Sequence, residues 1–176
     1  MKKQYVFAGF GGQGMLLIGK FVAMANMLDG KHVSWLPSYG PEMRGGTASC
    51  SVIVSDDPVG SPIVTTPDVL VAMNLPSLDR FESKVAPGGM IFLDSSLIER
   101  EVVRTDVKVF RIPATKLAGE NGFPTLANMI IVGKILKELG EYNDEGLKAA
   151  LAKVISAKHA DMMEVNRKAI DLGANL

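Results

Sequence analysis

Near its start the chain interrupts an apolar run, Tyr5-Val6-Phe7-Ala8, with Gly9-Phe10-Gly11-Gly12-Gln13-Gly14, and then resumes with Met15-Leu16-Leu17-Ile18. That order predicts a strand, a tight glycine loop and a helix. Glycine serves where the backbone turns sharply or comes close to another group, and the N–H groups and dipole at a helix start favour an anion. Gly9, Gly11 and Gly14 also satisfy the spacing G-x-G-x-x-G, in the strand-to-helix context a dinucleotide site requires.

The next segment does not fit a dinucleotide site. Such sites place an Asp or Glu about 20 residues after the glycines, at the end of the second strand, to accept bonds from the ribose hydroxyls. Here that strand is His32-Val33-Ser34-Trp35-Leu36-Pro37, and it runs into Ser38-Tyr39-Gly40. The nearest acids, Asp29 and Glu42, lie before the strand and inside the following loop. Two readings of the glycine loop remain open at this point: a tight turn with no ligand, or, despite the missing acid, a loop that holds a nicotinamide or flavin dinucleotide.

The strand–loop–helix start sets the pattern for the next hundred residues. Val69-Leu70-Val71-Ala72-Met73 and Met90-Ile91-Phe92-Leu93 are continuous apolar runs of the kind buried parallel strands need. Lys108 to Ile112 supplies another strand, and a short helix is expected over about Ser77 to Lys84. Thr47 to Ser55 alternates between apolar and serine positions, which suggests a strand with a solvated side, at an edge or in a hairpin with Ser61 to Val64. The first helix, about Met15 to Leu28, is apolar nearly all round and is expected to be buried on most sides. Later helices are expected over Leu126–Leu139 with Gly140 as stop, Asp144–Ile155 with Asn143 as N-cap, and about Ala160–Leu172 with Gly173 closing. The expected fold is a single domain over 1–176: a three-layer α/β/α arrangement, its sheet mainly parallel, with a hairpin-like insertion and a Rossmann-like glycine loop after the first strand. In such sheets ligands meet the carboxyl ends of the strands, where Gln13, Ser38, Tyr39, Asn74, Ser95, Ser96 and Thr115 gather.

Composition narrows the function classes. Nineteen basic residues balance nineteen acidic ones, so the basic footprint of a nucleic-acid binder is missing. No run of 18 uncharged apolar residues suggests a membrane span, and Met1-Lys2-Lys3 does not open a signal peptide, so a cytoplasmic location is expected. Cys50 is the single cysteine, which excludes an intrachain disulfide and a four-thiolate iron–sulfur cluster. On the apolar face of its alternating segment it reads as a core residue. His32 and His159 lack metal-ligand neighbours, and no metal site is expected.

Ser38-Tyr39-Gly40-Pro41-Glu42-Met43-Arg44-Gly45-Gly46 is an unusual loop to leave in solvent, because it sets Tyr39, Met43 and Arg44 among glycines and a proline. Arg44 offers a planar fork for a phosphate or carboxylate, and Tyr39 a rigid surface with a hydroxyl. With this loop the chain resembles the gamma subunit, or gamma domain, of the 2-oxoacid:ferredoxin (acceptor) oxidoreductases, a group that includes pyruvate synthase and the 2-oxoglutarate and branched-chain oxoacid enzymes. The resemblance covers essentially the whole chain. It rests on the two glycine-rich segments, the serine-rich strand after them, Met73-Asn74 with Phe81, Ala127-Asn128-Met129 and Asn166-Arg167-Lys168-Ala169.

The resemblance implies a complex that oxidatively decarboxylates a 2-oxoacid on thiamine diphosphate with magnesium, passes electrons through iron–sulfur clusters to ferredoxin, and forms an acyl-CoA. It implies alpha, beta and delta-type partner subunits, with thiamine diphosphate and clusters on those partners and no cofactor tightly held by this chain. No catalytic residue is assigned here. The implied role is accessory, packing on the thiamine-binding subunits and assisting coenzyme A, with Gly11, Gly12, Gln13, Gly14, Ser38, Tyr39 and Arg44 as candidate contacts. The alternatives are a free-standing NAD(P)- or flavin-binding oxidoreductase and a pure scaffold subunit.

Overall fold

The computed structural model describes residues 1–39, 47–141 and 143–176. Six strands form one sheet: β1 (Lys2–Phe10), β2 (His32–Tyr39), β3 (Thr47–Ser55), β4 (Val69–Ala72), β5 (Met90–Asp94) and β6 (Lys108–Ile112). Their order is β2-β3-β1-β4-β5-β6. β1, β4, β5 and β6 are mutually parallel, whereas β3 runs antiparallel to both of its neighbours. The helices are α1 (Met15–Leu28), α2 (Leu75–Phe81), α3 (Ala114–Glu120), α4 (Ala127–Leu139), α5 (Asp144–Val154) and α6 (Asp161–Ala174).

Alternate strand residues feed two separate cores, because successive side chains point to opposite faces. Tyr5, Phe7, Cys50, Val52, Val71 and Phe92 face a thick layer that includes residues of α1, α4, α5 and α6. Val6, Ala8, Leu70, Ala72, Ile91 and Leu93 face a thinner layer made by Leu78 of α2, Val85, Ile98 and irregular segments. Burial on both faces explains why β4 and β5 read as unbroken apolar runs. The three-layer α/β expectation therefore holds, with one strand reversed.

Three local expectations are corrected. Thr47–Ser55 does form a strand, but its hairpin partner is the preceding β2, and residues 61–64 form no strand. It lies inside the sheet, paired residue for residue with β1 from Lys2↔Ser55 to Phe10↔Thr47. The serine alternation came from the sheet face opposite the helical layer, where Ser49 and Ser51 share a row with Ala8 and Val6. Helix α1 is less enclosed than its composition suggested, since Leu17, Met27 and Leu28 are exposed. Gly173 does not close the last helix; α6 continues through it. A Cβ there would stand 1.8 Å from the Ile130 carbonyl oxygen, and one on Gly133 would stand 1.9 Å from that of Ile170. These glycines let α4 and α6 cross at backbone contact.

Helix α3 was not anticipated from the sequence. Its first turn is held from outside: Asp94, at the end of β5, accepts from the Thr115 N–H (3.2 Å) and hydroxyl (2.5 Å). Ser96 accepts from the Lys116 N–H at 3.1 Å. A cap twenty residues away in sequence leaves no local signal.

Candidate functional site at the carboxyl edge

A glycine-bearing loop joins the first strand to the first helix. β1 ends at Phe10, and α1 starts at Met15 after Gly14, whose φ of 75° is the left-handed conformation glycine favours. A Cβ on Gly14 would also lie 2.2 Å from Asn128 Nδ2, which instead donates to the Gly14 carbonyl at 3.3 Å. Gly9 is held close by Gln13, whose Oε1 a Cβ there would meet at 2.6 Å.

Gln13 ties two strand ends together. Its Oε1 accepts from the Phe10 N–H at 2.6 Å, and its Nε2 donates to the Met73 carbonyl at 3.1 Å. Both ends of the amide are thus engaged by β1 and the residue after β4. Gly11 and Gly12 are exposed, and a Cβ on Gly12 would meet nothing within 4 Å. They leave open backbone at the loop's tip.

Beside that tip lies a cavity of about 300 Å³, walled by Gly12, Gln13, Met73, Leu97, Thr115, Pro124, Thr125, Ala127 and Asn128. It sits beyond the carboxyl ends of β1, β4 and β5, the position at which open α/β sheets receive ligands. Ser38 and Tyr39 do not line it. They lie on the other side of the loop, where the rows Gly9↔Ala48↔Tyr39 and Ala8↔Ser49↔Ser38 cross the sheet. Arg44 and Glu42 fall outside the described residues; the flanking Tyr39 and Thr47 place that loop's two ends at this same edge. Leu97, Pro124 and Thr125 were missed, because their place in the wall depends on the crossing of β5 and the approach to α4.

Other polar residues picked out at this edge serve the frame. Asn74 caps α2, accepting from the Ser77 N–H at 2.8 Å. Cys50 is buried, donates to the Met15 carbonyl at 3.3 Å, and has its thiol pushed up to about 12 by burial, against the lowering effects of the Trp35 ring N–H and the Gly19 backbone. It is a core residue, as expected, and not a thiolate nucleophile.

Strand order also disfavours a dinucleotide. β3 stands between β1 and β2, so the end of β2 is two strand spacings, about 10 Å, from the glycine loop. A ribose clamp at the end of β2 would be one strand too far away. Among the described residues, no group of three or more His, Cys, Asp or Glu could hold a metal ion, and no helix is long and apolar enough to cross a membrane.

Fold and site together define a class: an α/β domain with a glycine loop after its first strand and a carboxyl-edge cleft, whose strand order does not suit a dinucleotide. The chain belongs to the pyruvate ferredoxin/flavodoxin oxidoreductase family, whose model matches residues 4–176. It is 40% identical over 170 residues to the ketoisovalerate oxidoreductase subunit VorA of Methanothermobacter marburgensis, covering 96% of this chain but 35% of that protein. It is 32% identical over 154 residues to the 2-oxoglutarate synthase subunit KorC of Methanocaldococcus jannaschii, covering 86% of this chain and 82% of that one. The gamma subunit of a keto/oxoacid ferredoxin oxidoreductase from Geobacter sulfurreducens superimposes with a TM-score of 0.82 at 27% identity, over 98% of this chain and 96% of the other. A 2-oxoglutarate:ferredoxin oxidoreductase chain from Magnetococcus marinus, solved with 2-oxoglutarate, coenzyme A and succinyl-CoA, superimposes at 0.87 and 26% identity, over 99% of this chain and 30% of that chain. The chain thus spans about a third of the length of the VorA relative.

Proposed function

We propose that this chain is the gamma-type subunit of a cytoplasmic 2-oxoacid:ferredoxin oxidoreductase that converts a 2-oxoacid, coenzyme A and oxidised ferredoxin to an acyl-CoA, carbon dioxide and reduced ferredoxin. Its part is accessory. Electron transfer and decarboxylation need thiamine diphosphate and iron–sulfur clusters, and one buried cysteine cannot ligate a cluster. Those groups reside on the partner subunits, with which this chain assembles.

The observation that carries the reading is the open backbone of Gly11–Gly12 beside the carboxyl-edge cavity, in a chain that matches this family over nearly its whole length. The exposed backbone of Gly11 and Gly12, just ahead of the start of α1, suits a phosphate, and the apolar and hydroxyl walls beyond suit an uncharged thiol-bearing arm. Coenzyme A has both parts, and the Magnetococcus relative was solved with it. Arg44, with Tyr39, is assigned to the phosphate end.

Equilibrium binding of coenzyme A to the assembled complex tests this directly. Arg44→Ala, and separately Leu97→Glu, which sets an anion in the cavity wall, are each expected to weaken binding about tenfold while the complex still assembles. Unchanged affinity in both variants would refute the coenzyme A assignment. Loss of assembly in both would leave a scaffold subunit.

A further inference from the structure

We propose that Thr115 is a specificity-determining residue of the carboxyl-edge cavity: with its hydroxyl proton committed to Asp94 it can only accept, and so it selects a ligand arm that carries an N–H donor, such as a secondary amide. The proposal rests on the coenzyme A reading and deepens it, by naming what the uncharged part of the ligand must offer.

Asp94 ends β5 and is completely buried, and a buried carboxylate must be met by donors. Its Oδ1 accepts from the Ser96 N–H at 3.0 Å, and its Oδ2 accepts from the Thr115 N–H at 3.2 Å and the Thr115 hydroxyl at 2.5 Å. An ionised carboxylate only accepts, so the Thr115 hydroxyl gives it its single proton. That charge-assisted bond fixes the hydroxyl, and the lone pairs left on Thr115 Oγ1 can do nothing but accept. The next N–H of α3, that of Lys116, is taken by the Ser96 hydroxyl oxygen at 3.1 Å. Thr115 and Lys116 therefore bring an acceptor to the α3 side of the cavity and no free backbone donor.

The other wall residues sharpen the contrast. Gln13 has both ends of its amide engaged by the Phe10 N–H and the Met73 carbonyl, and Asn128 has both ends of its own engaged by the Gly14 carbonyl and the Met129 N–H. On the β1 side, Gly11 and Gly12 leave backbone exposed. β1, β4 and β5 are consecutive in the sheet, so the end of β1 lies about 10 Å from the end of β5, where Asp94 holds Thr115. The cavity thus pairs an anion-compatible end with an acceptor about two strand spacings away, and Met73 and Leu97 supply apolar wall. A second anion at Thr115 would meet lone pairs and the Asp94 charge, whereas an amide N–H would find a partner. Coenzyme A carries two secondary amides between its diphosphate and its thiol.

The test measures equilibrium binding to the assembled complex of two probes: coenzyme A, and an analogue in which a methylene replaces each of its two amide N–H groups. The parent complex is expected to prefer coenzyme A about tenfold. Thr115→Val, which keeps the shape and removes the acceptor, is expected to weaken coenzyme A about tenfold and to leave the analogue within twofold, so that the preference disappears. Thr115→Ser restores the hydroxyl and should keep the parental preference. If Thr115→Val does not assemble, Thr115→Ala replaces it, with the same loss of preference expected. Equal weakening of both probes by the variant overturns the proposal, since it would show a packing role alone; so does loss of the preference in Thr115→Ser. Unchanged coenzyme A affinity in Thr115→Val, beside a loss in Leu97→Glu, overturns it while leaving coenzyme A in the cavity. If neither variant weakens coenzyme A, the functional reading of the cavity fails and the proposal with it.

Discussion

Gly14 carries two demands, and they predict how substitutions along the glycine loop rank. Its left-handed φ would cost an alanine about 1–2 kcal/mol. A Cβ would also press on Asn128 and break its hydrogen bond to the Gly14 carbonyl, worth roughly 1 kcal/mol more. Gly12 has the same backbone demand, with φ 94°, but open space around it. Urea titrations should show Gly14→Ala less stable by about 2–3 kcal/mol and Gly12→Ala by about half that; equal losses would mean that the Asn128 contact does nothing. Glu82 raises a question of charge. Burial works against its ionised form, but Arg100 donates to it at 2.6 Å and the Val103 and Arg104 N–H groups at 2.5 and 3.3 Å, and the net result is a carboxyl held below its ordinary value. A depressed carboxyl adds stability that is present above its unfolded pKa, near 4.3, and is lost as the pH falls through the lower folded value. Glu82→Gln should therefore lower stability at pH 7 by about 1–2 kcal/mol and flatten the loss of stability below about pH 4. A parallel downward shift of the whole pH–stability curve would show that packing, not charge, was removed.

Among the elements, the crossing of α4 and α6 is the most exacting. Gly133 and Gly173 each face a backbone carbonyl of the other helix, so a methyl group on either must push the two axes apart. Each alanine variant is expected to cost about 1–3 kcal/mol. Because either methyl forces the same separation, the double variant should cost clearly less than the sum, and thermal melts of all three would expose strict additivity if the two contacts were independent. The same crossing shows what could be read from the sequence. Periodicity placed α4, α5 and α6 within a residue or two, since their apolar stripes and the caps at Asn143 and Gly140 are local features. Gly173 was misread because a glycine near a helix end resembles a stop, and only the partner helix reveals it as a contact. Strand β3 was recognised as a strand but misplaced, since period-2 alternation reports two unlike faces and not which neighbours lie to either side. At the site, the loop glycines were legible by their spacing. The cavity wall at Leu97, Pro124 and Thr125 was not, because those residues meet only when β5, α3 and α4 have packed.

At the scale of the molecule, β1 binds the two halves of the sheet together. It pairs with β3 on one side over nine residues and with β4 on the other, and its side chains enter both cores alternately. The β2–β3 hairpin is joined to the parallel half only through this pairing, yet Cys50 and Val52 of β3 are completed by α1, which packs across both strands. Melting the hairpin alone would expose buried Cys50, Val52 and Val54 and uncover α1, so a separate early transition carries a large apolar cost. Trp35 is the chain's single tryptophan and sits on β2 with its ring nitrogen beside Cys50 and Gly19, which makes it a reporter of the hairpin. Far-ultraviolet dichroism reports the helices on the other elements. The shared β1 and α1 predict that Trp35 fluorescence and helix dichroism will lose signal at the same temperature and the same urea concentration, as in two-state unfolding. A Trp35 transition several degrees below the helical one would instead place a cooperative boundary between β3 and β1, and the sheet would have to be treated as two units.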